Sequence, residues 1–442
     1  MKKDTIVLTI NCGSSSIKYM VYSWEEKKSL ATGIVERIGL ADSLIKHQVA
    51  GQDSTNIVTN CPDHVTGIQL ILQTLTTGET KVLEDITQVS AVGHRVVHGG
   101  EKFTKSVRID GPDGEVLQTL KEIAPLAPLH NPVNIIGIEA ALKVLPNIPH
   151  IAVMDTAFLQ TIPKANYLYA VPYKWYTEYG VRRYGFHGSS HLFVSKRASV
   201  LLKKDPFEVN LITCHIGNGV SFTAIKDGLA FDHSMGFTPL EGLIMGTRSG
   251  DIDPAIIPYI CNKEHITSKK VEQILNKESG LKGITGKYVD RRDIKAAADK
   301  GDERAQLAID MEAYRIKKYI GSYMASLGRV DAIVFTAGVG EMAPFIREKA
   351  LSGLEDLGVV LDIERNQEAS HTHEFEISAD NSKVKVLVIP TNEELVFVED
   401  VVAILEDRYD VHTKFKYSFQ DVNYVDKERA ALYEKEKMMK KK

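Results

Sequence analysis

The strongest constraint on this chain is a short pattern that it carries twice. Residues 5–11 (TIVLTIN) form an apolar, β-branched run. Cys12-Gly13-Ser14-Ser15-Ser16 then makes a turn of small residues, and Ile17 to Tyr22 alternates as a returning strand. From residue 210 the layout recurs: NLITCHI, then Gly217-Asn218-Gly219, then a strand from Val220 to Ile225 that ends at Lys226-Asp227-Gly228. Each copy opens a stretch of alternating strands and helices, which predicts two similar α/β halves with a cleft between them. A third small-residue turn, Ala337-Gly338-Val339-Gly340, follows the buried-strand run 332–335 and precedes a helical stretch containing Phe345-Ile346-Arg347.

Helix starts are legible elsewhere. Asn131-Pro132 has cap and first-turn chemistry for a helix over 133–145, and Ser189 or Ser190 can cap one over 191–202. Residues 291–327 are Ala-rich with apolar residues at helical spacing, which predicts two helices. The stretch 396–405, after Asn392-Glu393-Glu394, reads as a helix that returns to the first half. At 442 residues the chain exceeds what one core holds. The expected domains are therefore 1–155 plus 386–407 and 156–385, with 408–442 a charged extension. Its end, 426–442, reads as solvated, with a partner-binding role as the alternative.

Composition removes several function classes. Lys plus Arg number 54 against 58 Asp plus Glu, so no global field favours nucleic acid or anionic lipid. Cys12, Cys61, Cys214 and Cys261 lie far apart without a CxxC pair, which argues against a zinc site or a disulfide framework. The start, Met-Lys-Lys-Asp, runs directly into an apolar strand, and no apolar run is long enough to span a membrane. The expected compartment is the cytoplasm, with no membrane and no nucleic-acid partner.

Anion-binding chemistry gathers at the turns. The tip Asn11-Cys-Gly-Ser-Ser-Ser-x-Lys18 offers backbone N–H groups, hydroxyls and a cation suited to terminal phosphates, although it is not a GxxxxGK[ST] loop. Taken alone it is equally an ordinary serine-rich turn. With Gly217–Gly219 and Gly338–Gly340, three glycine-bearing turns can face one nucleotide. Arg95 in GHRVVHGG and Arg248 in MGTRSGD sit among small residues, where two guanidiniums can clamp a carboxylate and a phosphoryl group through bidentate bonds. The bland reading of the Arg95 segment is a surface turn with an incidental arginine. His130, His187 and His215 end apolar segments beside Gly, Asn or Pro; a lone histidine is usually structural, but three at loop mouths point to a site. Asp155 and Glu393 occupy strand-end positions suited to orienting or metal-linked carboxylates.

Together these motifs resemble the acetate kinase family, within the acetate and sugar kinase and actin superfamily. The likeness runs from Thr5 to about Asp407, through NCGSSSIK (11–18), GHRVVHGGE (93–101), PLHNP (128–132), MDTAF (154–158), RRYGFHGSSH (182–191), TCHIGNG (213–219), SMGFTPLEGLIMGTRSGDIDP (234–254), FTAGVGE (335–341) and TNEE (391–394).

The resemblance implies an actin-like (ribonuclease H-like) fold and reversible, direct in-line transfer of the ATP γ-phosphoryl group to acetate, giving acetyl phosphate and ADP. It assigns Arg95 and Arg248 to the carboxylate and the transferring group, His187 to the transition state, and Asp155 to orienting the reactants. Asn11 and Glu393 would position Mg²⁺, or Mn²⁺ in its place. Lys18, His215, Asn218 and Gly219 would meet the ATP phosphates. Asp290, Arg291, Arg292, Gly338, Val339 and Gly340 would surround the nucleoside. Val97, Leu129, Phe186 and Pro239 would line the pocket for the substrate methyl group. The family also implies a homodimer formed through the second half. Met342 stands where the family usually carries asparagine, and Arg291 where it carries an aromatic residue beside the adenine, which leaves base preference, and a donor such as pyrophosphate, open. The rival readings are a propionate or butyrate kinase and, from another class, a non-enzymatic actin-like nucleotide-binding module.

Overall fold

The computed structural model describes residues 4–40, 42–128 and 130–440, the side chains of 439 and 440 excepted. The chain divides into two compact units: Met1–Gln160 with Asn392–Ser418 and Val425–Glu428, and Thr161–Thr391 with Phe419–Tyr424 and Arg429–Lys442. Each is an α/β layer structure around its own sheet.

The first sheet contains β1 (Ile6–Gly13), β2 (Ser16–Ser23), β3 (Lys28–Glu36), β4 (Leu44–Val49), β5 (Thr55–Val58), β6 (Val89–Val96), β7 (Val107–Ile109) and β8 (His150–Met154). Its order is β5-β4-β3-β2-β1-β6-β8-β7. The second holds β9 (Leu211–Ile216), β10 (Val220–Lys226), β11 (Leu229–His233), β12 (Ala332–Thr336), β13 (Phe375–Glu376) and β14 (Lys385–Val388), in the order β11-β10-β9-β12-β14-β13. Within each, an antiparallel meander is followed by two parallel strands: β3-β2-β1 then β6 and β8, and β11-β10-β9 then β12 and β14. The repeat seen in the sequence is therefore a repeat of topology, with the ribonuclease H-like strand order in each unit.

β1 is buried on both faces because alternate residues serve different clusters. Leu8, Ile10 and Cys12 pack with Ile68 and Ile71 of the helix His64–Thr76 and with Ala140 and Ala141 of the helix Asn131–Val144. Val7 points the other way, into a cluster with Val153, Val398, Val401 and Val402. Those last three lie on the helix Glu393–Leu405, each fully buried and contributing about 1.5–3 kcal/mol. Asn392 starts this helix by accepting the Leu395 N–H at 2.9 Å. Gly93 lets it lie close to β6, since a Cβ there would fall 2.3 Å from the Phe397 ring.

Several expectations need adjustment. The helix foreseen over 191–202 spans Gly188–Leu201, with His187 rather than a serine at its cap position, and the turn at Ala337–Gly340 is a short helix, Ala337–Met342. The helix foreseen from 396 begins at Glu393. Residues 291–327 do form two helices, Arg291–Ala298 and Glu303–Leu327, capped by Asp290 and Asp302. Beyond residue 408, Tyr417 and Phe419 are buried, and Lys427–Lys440 is helical.

Asp400, on the helix Glu393–Leu405, is buried and accepts hydrogen bonds from Ser106 Oγ (2.6 Å) and Tyr417 OH (2.8 Å). Burial pushes its carboxyl up to about 7. A raised carboxyl binds its proton more tightly in the folded state, so its contribution is complete below about pH 4 and is lost as pH rises through about 7. The loss runs at about 1.4 kcal/mol per pH unit. Asp400→Asn removes it while keeping a group that can satisfy both hydroxyls. Melting curves of wild type and variant between pH 5 and 7 should show the variant gaining on wild type as pH rises.

Candidate functional site

In the first unit, Arg95 on β6 lies opposite Val153 on β8, and Asp155 follows β8 directly, its N–H bonded to the Val96 carbonyl at 3.0 Å. This register brings the two side chains together. Arg95 Nε lies 3.1 Å from both Asp155 carboxylate oxygens and Nη2 2.6 Å from Oδ2. Nη1 has no protein partner among the described residues, and a third of the side chain is accessible, 33%, against 6% for Asp155. Asp155 raises the guanidinium pKa above its ordinary value, so Arg95 keeps its charge. The strand end is fastened from the helix Asn131–Val144. Asn134 Oδ1 accepts the Val97 N–H and Asn131 Oδ1 accepts the His98 N–H, each at 3.1 Å, while Asn134 Nδ2 donates to the Cys12 carbonyl at 3.0 Å.

Glu393, first residue of its helix, lies within electrostatic reach of Arg95 and Asp155. Burial pushes its carboxyl up to about 7, with Arg95 opposing the shift. Asn11 sits on β1 directly across from Lys18 on β2, which is exposed. Val97 is half-buried, and Leu129 lies outside the described residues. His94 of the same motif is structural, its Nε2 2.9 Å from Nδ1 of His150 in the core.

In the second unit, histidines and small residues form one network. His187 takes a left-handed backbone conformation (φ 58°) just before the helix Gly188–Leu201. Its Nδ1 lies 2.8 Å from Ser221 Oγ, which lies 2.8 Å from Nε2 of His191, whose Nδ1 lies 2.7 Å from Thr213 Oγ1. Burial holds His191 well below its ordinary pKa, so it is a neutral hydrogen-bonding member. The His187 ring stacks on that of His215 at 4.2 Å between centroids, and His215 Nδ1 lies 2.8 Å from Ser190 Oγ. Arg248 joins them: a Cβ built on Gly219 would lie 3.4 Å from its Nη1 and 3.4 Å from His187 Nε2. Glycine at 219 thus leaves room where a cation and an imidazole converge. Arg248 Nη1 donates to the Pro239 carbonyl at 3.3 Å, and burial lowers its pKa. Phe186 is buried, its N–H 3.1 Å from His233 Nε2.

The turn Gly217-Asn218-Gly219 is held from both sides. Gly246 N–H donates to the Asn218 carbonyl at 3.0 Å. Arg291 Nη1 donates to the Gly217 carbonyl at 2.9 Å, while its Nε and Nη2 grip Glu312 at 3.1 and 2.7 Å. Arg291 is buried and acts on the turn. Asp290 and Arg292 pair with each other at the surface, and Arg292 holds the Asp290 carboxyl down to about 2. Gly338, Val339 and Gly340 lie in the short helix after β12, where Ala337 has φ 64°. Buried Arg347 donates to the Gly340 and Glu341 carbonyls at 2.7 and 2.9 Å and fixes that helix from behind.

Among known families, the model described as the acetokinase family matches residues 6–399. The chain belongs to the acetokinase family. It is 57% identical over 421 residues to an acetate kinase of Geobacter metallireducens, an alignment covering 95% of this chain and 99% of that protein. Among solved structures it resembles an acetate kinase of Porphyromonas gingivalis (TM-score 0.87, 44% identity, 91% of this chain and 100% of that one). It also resembles a propionate kinase of Francisella tularensis (TM-score 0.82, 38% identity, 90% and 98% covered).

Sequence reading missed the residues that hold the acetokinase motifs in place: Asn134, Ser190, Ser221, His191 and Arg347. The serines occur as ordinary strand and helix residues, and only their placement against imidazoles reveals the role. Ser221→Ala removes the group shared by His187 and His191, and leaving buried polar atoms unmade costs about 1–3 kcal/mol. The expected result is a turnover loss of about tenfold or more, equivalent to roughly 1.4 kcal/mol, with substrate KM values little changed in steady-state kinetics.

Proposed function

We propose that this protein phosphorylates acetate with ATP, reversibly, giving acetyl phosphate and ADP. The observation that carries this reading is the Arg95–Asp155 pair, in which Asp155 occupies one edge of the guanidinium and the Nη1 end keeps no protein partner among the described residues. Acetate is already ionised at neutral pH, so no general base is needed. A lone pair of its carboxylate oxygen forms the new bond to the γ-phosphorus, and the bond from that phosphorus to the β–γ bridging oxygen breaks, its electrons leaving with ADP. Rate then depends on alignment and on charge neutralisation in a loose transition state. Arg95 holds the acceptor, Arg248 and His187 meet the charge on the equatorial oxygens, and Ser221 keeps the His187 ring in orientation. His215, Asn218, Gly219 and Lys18 serve the nucleotide phosphates, with Gly338–Gly340, Asp290 and Arg292 at the nucleoside and Arg291 shaping the phosphate turn.

Asn11 and Glu393 offer the hard oxygen donors that Mg²⁺ or Mn²⁺ takes, and a carboxylate whose charged form burial disfavours gains from a neighbouring cation. The metal, when bound, neutralises phosphate charge. No group of three or more His, Cys, Asp or Glu suited to a metal occurs among the described residues, so phosphates and waters would supply its other ligands. Val97, Phe186 and Pro239 are the residues we assign to the substrate methyl group, for which one methylene is worth about 1–3 kcal/mol, so propionate should be a poorer substrate without being excluded. We place the reaction in the cytoplasm, in keeping with four cysteines that form no disulfide. No described helix is long and apolar enough to cross a membrane. We assign a homodimer to the second unit, which exposes Ile256, Tyr259, Leu307 and Tyr314.

A hydroxylamine trap for acyl phosphate tests the reading with acetate, propionate and butyrate as acceptors and ATP or pyrophosphate as donor. The expected result is strong acetate turnover with ATP; formation of no acyl phosphate would overturn it, and activity confined to a longer acid would move the protein to a sister specificity. Arg95→Ala or Arg248→Ala should cost on the order of 3–4 kcal/mol, a hundred- to a thousandfold in turnover, with the melting temperature nearly unchanged.

A further inference from the structure

The chain beyond residue 399 falls outside the family model, and the Porphyromonas gingivalis structure is matched in full while covering 91% of this chain. Part of this extension is nevertheless built into the second unit. From the helix Lys427–Lys440, Arg429 Nη2 donates to the Thr391 carbonyl at 2.5 Å and Nη1 to the His371 carbonyl at 2.7 Å. Nη1 also lies 3.9 Å from Glu341 Oε2. Glu341 Oε1 accepts the Thr391 N–H at 3.2 Å, so residue 391 is gripped at its N–H by Glu341 and at its carbonyl by Arg429.

The contacts continue along the same face. The Tyr433 ring lies 4.5 Å from that of His373, which lies 4.5 Å from that of Phe375. His371 Nδ1 lies 3.1 Å from Met342 Sδ, at the end of the helix Ala337–Met342. One guanidinium from the extension thus joins three segments: the helix carrying Gly338–Glu341, the turn at 371–373 and the segment after β14 at Thr391. Burial disfavours the charged form of Glu341, and Arg429 and His371 oppose that, as does its hydrogen bond from Thr391; Arg347 packs behind the same helix.

We propose that Arg429 is a positioning residue for nucleotide binding: by holding Glu341 and the Thr391 peptide, it keeps the 337–342 segment in the shape that accepts the nucleoside. The inference rests on the functional reading above only in taking that segment as nucleotide-facing.

The test is ADP affinity by calorimetry on the full chain, with KM for ATP and for acetate, in wild type, Arg429→Ala and Arg429→Lys. Arg429→Ala should weaken ADP binding and raise the ATP KM about tenfold or more, an effect of roughly 1.4 kcal/mol. The acetate KM should stay within about twofold, and millimolar guanidinium should restore part of the ADP affinity. Arg429→Lys, with one ammonium in place of a fork, should fall between the two. Unchanged ADP affinity in Arg429→Ala, or an acetate KM that rises in parallel, would overturn the proposal. Should the alanine variant fail to fold, wild-type ADP affinity in Arg429→Lys would overturn it too. ADP binding needs no acyl transfer, so a wild type that makes no acyl phosphate would sink the functional reading without touching this measurement.

Discussion

A guanidinium that must take hold of a small anion and release it again needs its charge kept, its direction fixed and one edge open. Asp155 meets all three needs for Arg95, because a nearly buried carboxylate bonded to Nε and Nη2 removes the rotational freedom of the fork without covering Nη1. Much of the first unit follows from this pair. The parallel pairing of β6 and β8 sets Arg95 beside the strand that delivers Asp155. Two asparagines from one helix pin the strand end, and the helix Glu393–Leu405 covers the sheet face from the other side.

The second unit solves a related problem with neutral groups. His187 is aimed by a serine hydroxyl that His191 also engages, and His191 stays neutral because it is fully enclosed. The cationic partner, Arg248, stands next to Gly219, where a Cβ would meet both guanidinium and imidazole. Charge is thus supplied by few groups, and hydrogen-bonded hydroxyls set their directions, an arrangement that leaves little to reorganise.

How far this could be read from the sequence depended on whether the signal was local. The paired hairpins and the two helices within 291–327 were legible because strand alternation, small-residue turns and helical apolar spacing are written in adjacent positions. The start of the helix at Gly188 was misplaced because its cap position is taken by His187, whose left-handed conformation no propensity scale anticipates. Among the site residues, Arg95, Arg248, His187 and His215 stood out by type and by their small-residue neighbours. Ser221, Ser190 and Asn134 did not, since their partners lie 34, 25 and 122 positions away in the chain. Arg291 fits the same lesson: the family resemblance set it beside the nucleoside, and only the fold shows its side chain bonded to Glu312 and the Gly217 carbonyl.

The helix Glu393–Leu405 carries a further implication because of where it falls in the chain. It covers one face of a sheet whose central strands are complete by residue 154. A ribosome therefore delivers β1, β6 and β8 long before it delivers their cover, and Val7, Ala91, Ile151 and Val153 lack that cover while residues 161–391 of the second unit are being made. The second unit has most of its chain in hand by residue 391 and can condense first, while the first must wait for the last part of the message. A stalled or truncated translation product would carry an uncovered apolar sheet, the kind of surface that chaperones bind.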